Sequence, residues 1–262
     1  MFKASHAFFS FTEVTDVTRH RDYNAWHQLD HRPENLALSG IPYGERWVSS
    51  PDCIKARLVS DPLIHNFHYM NMYWMQQPLS KTWHEFEELG SQTLAMGTHR
   101  RPEMPYAKRH LTGVFMAVKG YANPRVMISP EALPFRPTRG VFATMSDLLA
   151  PGSADASDML QWYDEVHIPD IVSCNGVAGC WTFQSVPGYS NDIALNSNPA
   201  GRRINLYYLD QDPLEMLADM RSRVPQWRAA GRLRDNSKTK RDLHIGPLRT
   251  IIPWQWDWFD KA

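Results

Sequence analysis

The sequence predicts an α+β chain of two tandem β-α-β-β-α-β units whose antiparallel sheets face each other. Three observations carry this: a near-constant internal offset, a proline-dense segment midway, and one order of strand and helix signals on either side of it. Repeats govern the reading of everything else, so the offset comes first. Trp26-x4-His31-x-Pro33-Glu34 with Gly40 matches Trp162-x4-His167-x-Pro169-Asp170 with Gly176, each pair differing by 136 (162−26, 167−31, 169−33, 170−34, 176−40). Asn71-Met72-Tyr73-Trp74-Met75 before Pro78-Leu79 matches Asn205-Leu206-Tyr207-Tyr208-Leu209 before Pro213-Leu214, at offsets of 134 (205−71) and 135 (213−78). His110 and His244 again differ by 134 (244−110). Three blocks at nearly one spacing describe two copies of one unit, residues 1–119 and 139–262. Between them, 120–138 carries Pro124, Pro130, Pro134 and Pro137. That density resists helix and central strand and reads as a semi-rigid connector.

Each copy opens on an apolar strand, 5–12 and 140–147. A helix follows at 23–38, behind the N-cap candidates Thr18 and Asp22, and at 157–173, behind Ser153, Asp155 and Ser157. Gly40 and Gly176 sit where those helices should stop. Strands come next at 44–49 and 178–185, then at 64–75 and 202–209, rich in β-branched, aromatic and Met residues. Second helices at 80–96 and 212–230 precede last strands at 110–118 and 245–252. This order is the ferredoxin-like split unit. A sheet with helices on one face must cover its other face. The second copy supplies that cover, closing a barrel-like core with helices outside.

Composition removes several function classes. Lys+Arg and Asp+Glu number 28 each, which argues against nucleic-acid or anionic-membrane partners that rely on clustered positive charge. Cys53, Cys174 and Cys180 form no C-x-x-C pair, so a disulfide framework and a thiolate zinc site are excluded and all three read as core residues. No run approaches about 18 apolar residues, and the opening MFKASHAFFSFTEVT turns polar too soon for a signal peptide, so a cytoplasmic protein is expected. The chain has no P-loop, G-x-G-x-x-G or G-x-S-x-G, which removes the usual nucleotide and serine-hydrolase readings. Arg100-Arg101 and Arg202-Arg203 read as solvated charge runs. The 10 Trp, 10 Tyr and 11 Phe, with 11 His and 12 Met, raise the question of what these large side chains surround.

His31 and His167 are the sharpest candidates. Helical i and i+4 positions share a face, so His27 stands with His31 and Tyr163 with His167. An imidazole beside a phenol or carboxylate suits general acid/base work. A histidine two residues before a proline equally suits fixing a helix end. Glu34 and Asp170 either orient those histidines or are solvated. His27-x3-His31 has chelating spacing, but Gln28 replaces the Glu of H-E-x-x-H and Tyr163 replaces the first histidine in the second copy, so no metal site is expected. Strand alternation puts His65, Phe67, Tyr69, Asn71, Tyr73 and Met75 on one face and His68, Met70, Met72 and Trp74 on the other. The face holding Tyr69, Asn71 and Tyr73, repeated as Asn205 and Tyr207, belongs to a ligand cavity or a core polar network. His110 and His244 open the final strands, at a cavity mouth or as part of the frame. Trp254-Gln255-Trp256-Asp257-Trp258-Phe259 either lids a cavity or packs across a sheet edge.

Trp162-Tyr163-Asp164-Glu165-Val166-His167-Ile168-Pro169-Asp170, running into Gly176-Val177 and Thr182-Phe183, resembles the first-helix signature of the dimeric α+β barrel superfamily and is most similar to its EthD-like branch. The first copy keeps Trp26, His31, Pro33, Glu34 and Gly40 but carries His27 for Tyr163 and Gln28 for Asp164. The resemblance implies a pseudo-dimer within one chain, acting as a monomer or a further homodimer, with a ligand cavity between helices and sheet. Members include cofactor-free polyketide cyclases, muconolactone isomerase-like enzymes and anthrone-type monooxygenases, and haem-binding branches also exist. The resulting expectation is a cofactor-independent acid/base enzyme of aromatic-compound catabolism. It would act on a small phenolic compound as a lyase (dehydration or retro-aldol cleavage) or a related cyclase or isomerase. His31, His167, Tyr163, Tyr73 and Tyr207 would move protons; His27, Tyr69, Asn71, Asn205, His110, His244, Glu34 and Asp170 would bind substrate. The alternatives are a haem-dependent oxygenase or dehydratase, with His31, His110, His167 or His244 as axial ligand, and a non-catalytic small-molecule binding protein.

Overall fold

A computed structural model describes residues 4–97, 102–190 and 198–260. The first copy runs β1 (Ala4–Val14), α1 (His20–Trp26), α2 (Arg32–Leu36), β2 (Tyr43–Val48), α3 (Pro51–Ala56), β3 (Val59–Ser60), β4 (Tyr69–Gln76), α4 (Leu79–Ala95) and β5 (Ala107–Ala122). The second runs β6 (Gly140–Leu148), α5 (Ala154–Trp162), α6 (Ile168–Val172), β7 (Val177–Ser185), β8 (Arg202–Leu209), α7 (Pro213–Ala229) and β9 (Lys240–Thr250). All ladders are antiparallel, in the order β2-β4-β1-β5-β7-β8-β6-β9-β3. A further β2–β9 pairing, Trp47 opposite Thr250 and Val48 opposite Arg249, closes the ring. Four strands from each copy thus form one continuous antiparallel sheet closed into an intrachain barrel, with β3 added beside β9.

Side-chain alternation sorts each strand between two cores. Phe9, Phe11, Met70, Met72 and Trp74 of the first sheet meet Ala143, Met145, Phe183, Ile204 and Leu206 of the second inside the barrel. Phe183 is fully buried and lies edge-on to Phe9 at 5.1 Å, with Trp74 at 5.3 Å. The opposite face of each sheet looks out to its own helices. Phe8, Tyr73 and Met75 meet Trp83 and Phe86 of α4, and Phe142, Tyr207 and Leu209 meet Ile168, Ile171 and Met216.

Several local features depart from the sequence reading. Neither first helix is a plain α-helix: a π turn at His27–His31 separates α1 from α2, and another at Tyr163–His167 separates α5 from α6. Pro33 and Pro169 follow those turns; each lacks an N–H and its ring crowds the carbonyl four residues back, so the helix widens. Ser153 does cap its helix, accepting from the Ala156 amide at 3.1 Å, whereas Asp155 and Ser157 lie inside α5. In the first copy Asp16, not Thr18 or Asp22, caps the opening turn. The second copy's first helix stops at Val172, capped at Ser173, and Gly176 lies in the turn before β7 at φ 74°, which an L side chain resists. Gly40 is needed for space instead, since a Cβ there would lie 2.3 Å from Thr82 Oγ1.

The strand expected from residue 64 begins only at Tyr69. Asp61 accepts from the Leu63 amide in a turn, His65 is exposed, and Phe67 swings into the barrel against Phe11. Neither therefore shares the face of Tyr69. Arg202 is not solvated: it is buried in a two-pronged bond to Asp147. Arg100-Arg101 lie outside the described residues. All three cysteines are buried. The C-terminal segment crosses to the first copy, where Trp256 and Phe259 pack with Tyr23 and Tyr69 and Phe259 stacks on His20 at 3.8 Å. Among the described residues no helix is long and apolar enough to cross a membrane.

Because Phe183 fills space between the copies, Phe183→Ala should cost about 3–5 kcal/mol. Urea unfolding followed by tryptophan fluorescence and far-ultraviolet circular dichroism should show both copies lost in a single earlier transition. Two separated transitions in the parent chain would contradict this interlock.

Candidate functional site

The two pseudo-equivalent helix–sheet spaces are not equivalent. In the first copy a cavity of about 430 Å³ lies between the outward face of the sheet and the helices. Ser10, Thr12, Asn71 and Tyr73 line its sheet side, Trp26, His27, His31 and Asn35 its helix side, and Phe8, Tyr23 and Phe86 supply flat walls. Arg109 is exposed at its edge. The matching space in the second copy amounts to about 10 Å³ between Tyr163, Arg203, Asn205 and Lys240. The Lys240 ammonium sits 5.6 Å over the Tyr163 ring and lines what space remains.

The π turn sets the cavity's imidazoles. His27 and His31 approach edge-on with ring centroids 5.0 Å apart, and the His31 ring is stacked on Trp26 at 4.6 Å. His31 Nε2 lies 3.3 Å from the Asn35 amide nitrogen. His27 is buried and its Nδ1 has no hydrogen-bond partner. Burial, reinforced by the nearby Arg46 charge, pushes the His27 pKa well below the usual imidazole value, so the ring is neutral at physiological pH. Tyr73 is buried too, its hydroxyl without a partner although Asn35 comes near. Burial raises the Tyr73 phenol to about 12, which keeps its proton in place.

Beneath this wall lies Arg46, fully buried on β2 and passed over by the sequence reading. Its guanidinium donates to Asn71 Oδ1 at 2.9 Å, Gln28 Oε1 at 3.2 Å and Asn24 Oδ1 at 3.1 Å, and faces the rings of Tyr23 and Tyr69. These acceptors are neutral amides, and the Tyr23 phenol, also uncharged, is a further partner. The only sequence signal was the exchange of Asp164 for Gln28 between the copies.

Four expected site residues, His27, His31, Asn71 and Tyr73, therefore meet in one cavity. The others are elsewhere. The Tyr69 hydroxyl is taken up by Asn24 and His20 at 2.8 Å each, under the C-terminal tail. Glu34 is half-buried on α2, outside the lining. His110 pairs with Glu13 at 2.7 Å. His244 is buried within the barrel against Phe67. His167 stacks on Trp162, and Asp170, rather than orienting it, is held by Arg232 in a two-pronged ion pair at 2.7–3.0 Å. Tyr207 is buried with an unpartnered hydroxyl, and Asn205 donates to Thr144 at 3.0 Å.

No family model and no curated protein matches the chain. Solved structures do. A dye-decolorizing peroxidase from Bacteroides thetaiotaomicron superposes with a TM-score of 0.53 at 9% identity, covering 95% of this chain and 93% of that one. A chlorite dismutase from Candidatus Nitrospira defluvii gives 0.50 at 12% identity, over 100% and 96%. An anthrone oxidase-like protein gives 0.50 at 10% identity, over 95% and 92%. These neighbours are dimeric α+β barrel proteins. At such identities the likeness establishes the fold. It also corrects the expectation of no cofactor: the chlorite dismutase and peroxidase neighbours are haem-dependent. In those neighbours the same fold thus accommodates a large planar group.

Buried neutral histidines also set the acid limit of the fold. Burial, with Lys240 nearby, lowers His167 to about 4, and burial, with Arg57 nearby, lowers His244 to about 3. Free imidazole titrates near 6.5, so below that pH the unfolded chain binds protons that the folded chain refuses, and stability falls from about pH 6.5 down to about pH 3. His244→Gln should flatten this loss when melting temperatures at about pH 7 and about pH 4.5 are compared. An equally steep fall in the variant would show that His244 does not contribute.

Proposed function

We propose that the chain is a haem-dependent enzyme that oxidises a small aromatic compound in the first-copy cavity. The observation that carries this reading is a pair of imidazoles, one of them buried and neutral, in the wall of a cavity of about 430 Å³ between flat aromatic faces. A neutral imidazole is a common axial ligand of haem iron. His31 would hold the iron, because it lines the cavity while only half-buried and its ring plane is fixed by Trp26. Asn35, beside its Nε2, would set the orientation of the ring, as partners of metal-bound histidines do. Exposed Arg109 at the edge suits a carboxylate of the group. When bound, haem would supply the redox chemistry, which no side chain of the cavity provides.

The chain's own residues bind, orient and move protons. His27, neutral and 5.0 Å from His31, accepts a proton from a hydroxyl brought into the cavity. Tyr73 keeps its proton and donates a hydrogen bond. Phe8, Tyr23 and Phe86 exclude water from a flat substrate. In this reading His167, Tyr163, Asn205, Tyr207 and Asp170 stabilise the second copy, and the EthD-like motif there marks ancestry. We likewise take 1–119 and 139–262 as the two units.

Titrating the purified chain with haemin should give a Soret band that saturates at one haem per chain. His31→Ala should weaken binding at least about tenfold and shift the band, whereas His167→Ala should leave the titration unchanged. Absence of a saturable band, or a band indifferent to His31→Ala, would sink the proposal.

A further inference from the structure

We propose that the floor of the first-copy cavity is a seat for an organic oxyanion, the carboxylate or phenolate of an aromatic ligand, held by Asn71 and Tyr73 above the buried charge of Arg46. The inference rests on this cavity being the site and does not depend on the haem.

A guanidinium removed from water is costly unless a negative charge accompanies it. Arg46 is fully buried, yet its hydrogen bonds go to Asn71, Gln28 and Asn24, all uncharged. Amides satisfy its N–H groups and leave its charge in a low-dielectric layer. An anion reaching that layer gains what the protein itself does not provide.

The second copy supplies an internal control. Arg46 pairs with Asn71 across β2 and β4, and Thr182 pairs with Asn205 at the same register across β7 and β8. Asp164 stands where the first copy has Gln28, and it is engaged by Tyr121 at 2.7 Å and Lys119 at 3.2 Å. Relative to its duplicate, the first copy has therefore gained a buried cation and lost a carboxylate at two matched positions. It is also the copy that has the cavity.

The groups between Arg46 and the cavity are donors. A guanidinium has no acceptor, so Asn71 must turn its Oδ1 toward Arg46, which leaves its NH2 for the other side. Asn71 lines the cavity, as does Tyr73 two residues along the same strand face, whose buried hydroxyl has no partner. Two donors backed by a cation describe a site for oxygen bearing negative charge. The aromatic walls and the volume fit a small ring.

Calorimetric titration of the full chain with benzoate and with its neutral isostere benzamide tests this. Benzoate should bind at least about tenfold more tightly, the usual difference made by charge-assisted hydrogen bonds. Asn71→Asp, which hands Arg46 a carboxylate of the same shape, should raise the melting temperature while abolishing the preference for benzoate. Gln28→Glu should do the same from the opposite side, and Asn205→Asp should leave the preference intact. Equal affinity for the two probes, or a benzoate preference that survives both Asn71→Asp and Gln28→Glu, would overturn the seat. Benzoate binding without haem uptake supports the seat while failing the haem; haem uptake with no benzoate preference does the reverse.

Discussion

The contact of Phe183 with Phe9 and Trp74 at the centre of the barrel determines where everything else can be. Each sheet has two faces, and aromatic packing across the duplication consumes one of them completely. A ligand is therefore confined to the outward faces, where strand residues of the opposite parity meet helices. That is why Asn71 and Tyr73 line a cavity while Met70, Met72 and Trp74 on the same strand do not. The barrel is closed at β5–β7 and again at β9–β2, so the outward face of each copy is held by strands of the other. The C-terminal tail adds to this dependence, since Phe259 of the second copy covers His20 of the first.

Duplication then freed one copy to change. Both copies keep the proline that widens the first helix, and with it the π turn that brings an i, i+4 pair to the sheet. What differs is a handful of side chains on that common frame: His27 for Tyr163, Gln28 for Asp164, and Arg46 for Thr182. In the second copy the acid is paired with Lys119 and accepts from Tyr121, and Lys240 lines the little space that remains. In the first copy the space is open and the charge beneath it is unmatched. Similar outlines thus carry opposite electrostatics and very different cavity volumes on one fold.

The fold was legible because offsets and alternation are properties of the sequence itself. The strand face carrying Asn71 and Tyr73 could be assigned from period two alone. Arg46 was not legible, because its meaning lies in cross-strand register with Asn71 and in the reach of Gln28 and Asn24 from a helix. Ser50-Pro51-Asp52 held a helix start that the duplicated pattern masked, since α3 and β3 have no counterpart among the described residues of the second copy. The π turns were hidden for a related reason: a proline is visible in sequence, but whether the helix breaks or widens before it depends on the packing around it. The sequence made His31 and His167 matched candidates and could not say which lines a cavity; the volume beside His31 is a property of the packing around it.

Arg46 and His27 are electrically coupled, and this shapes how the cavity responds to its ligand. The guanidinium is one of the charges that hold the His27 imidazole unprotonated. An anion settled over Asn71 offsets that charge, and the penalty on protonating His27 falls accordingly. With a phenolate or carboxylate in the proposed seat, the same imidazole would be a better proton acceptor than in the empty cavity. Coupling of this kind needs no movement of the backbone, only a buried cation that the protein left without a counter-ion. A carboxylate at position 28, as at position 164, would stabilise Arg46 at rest and remove that coupling.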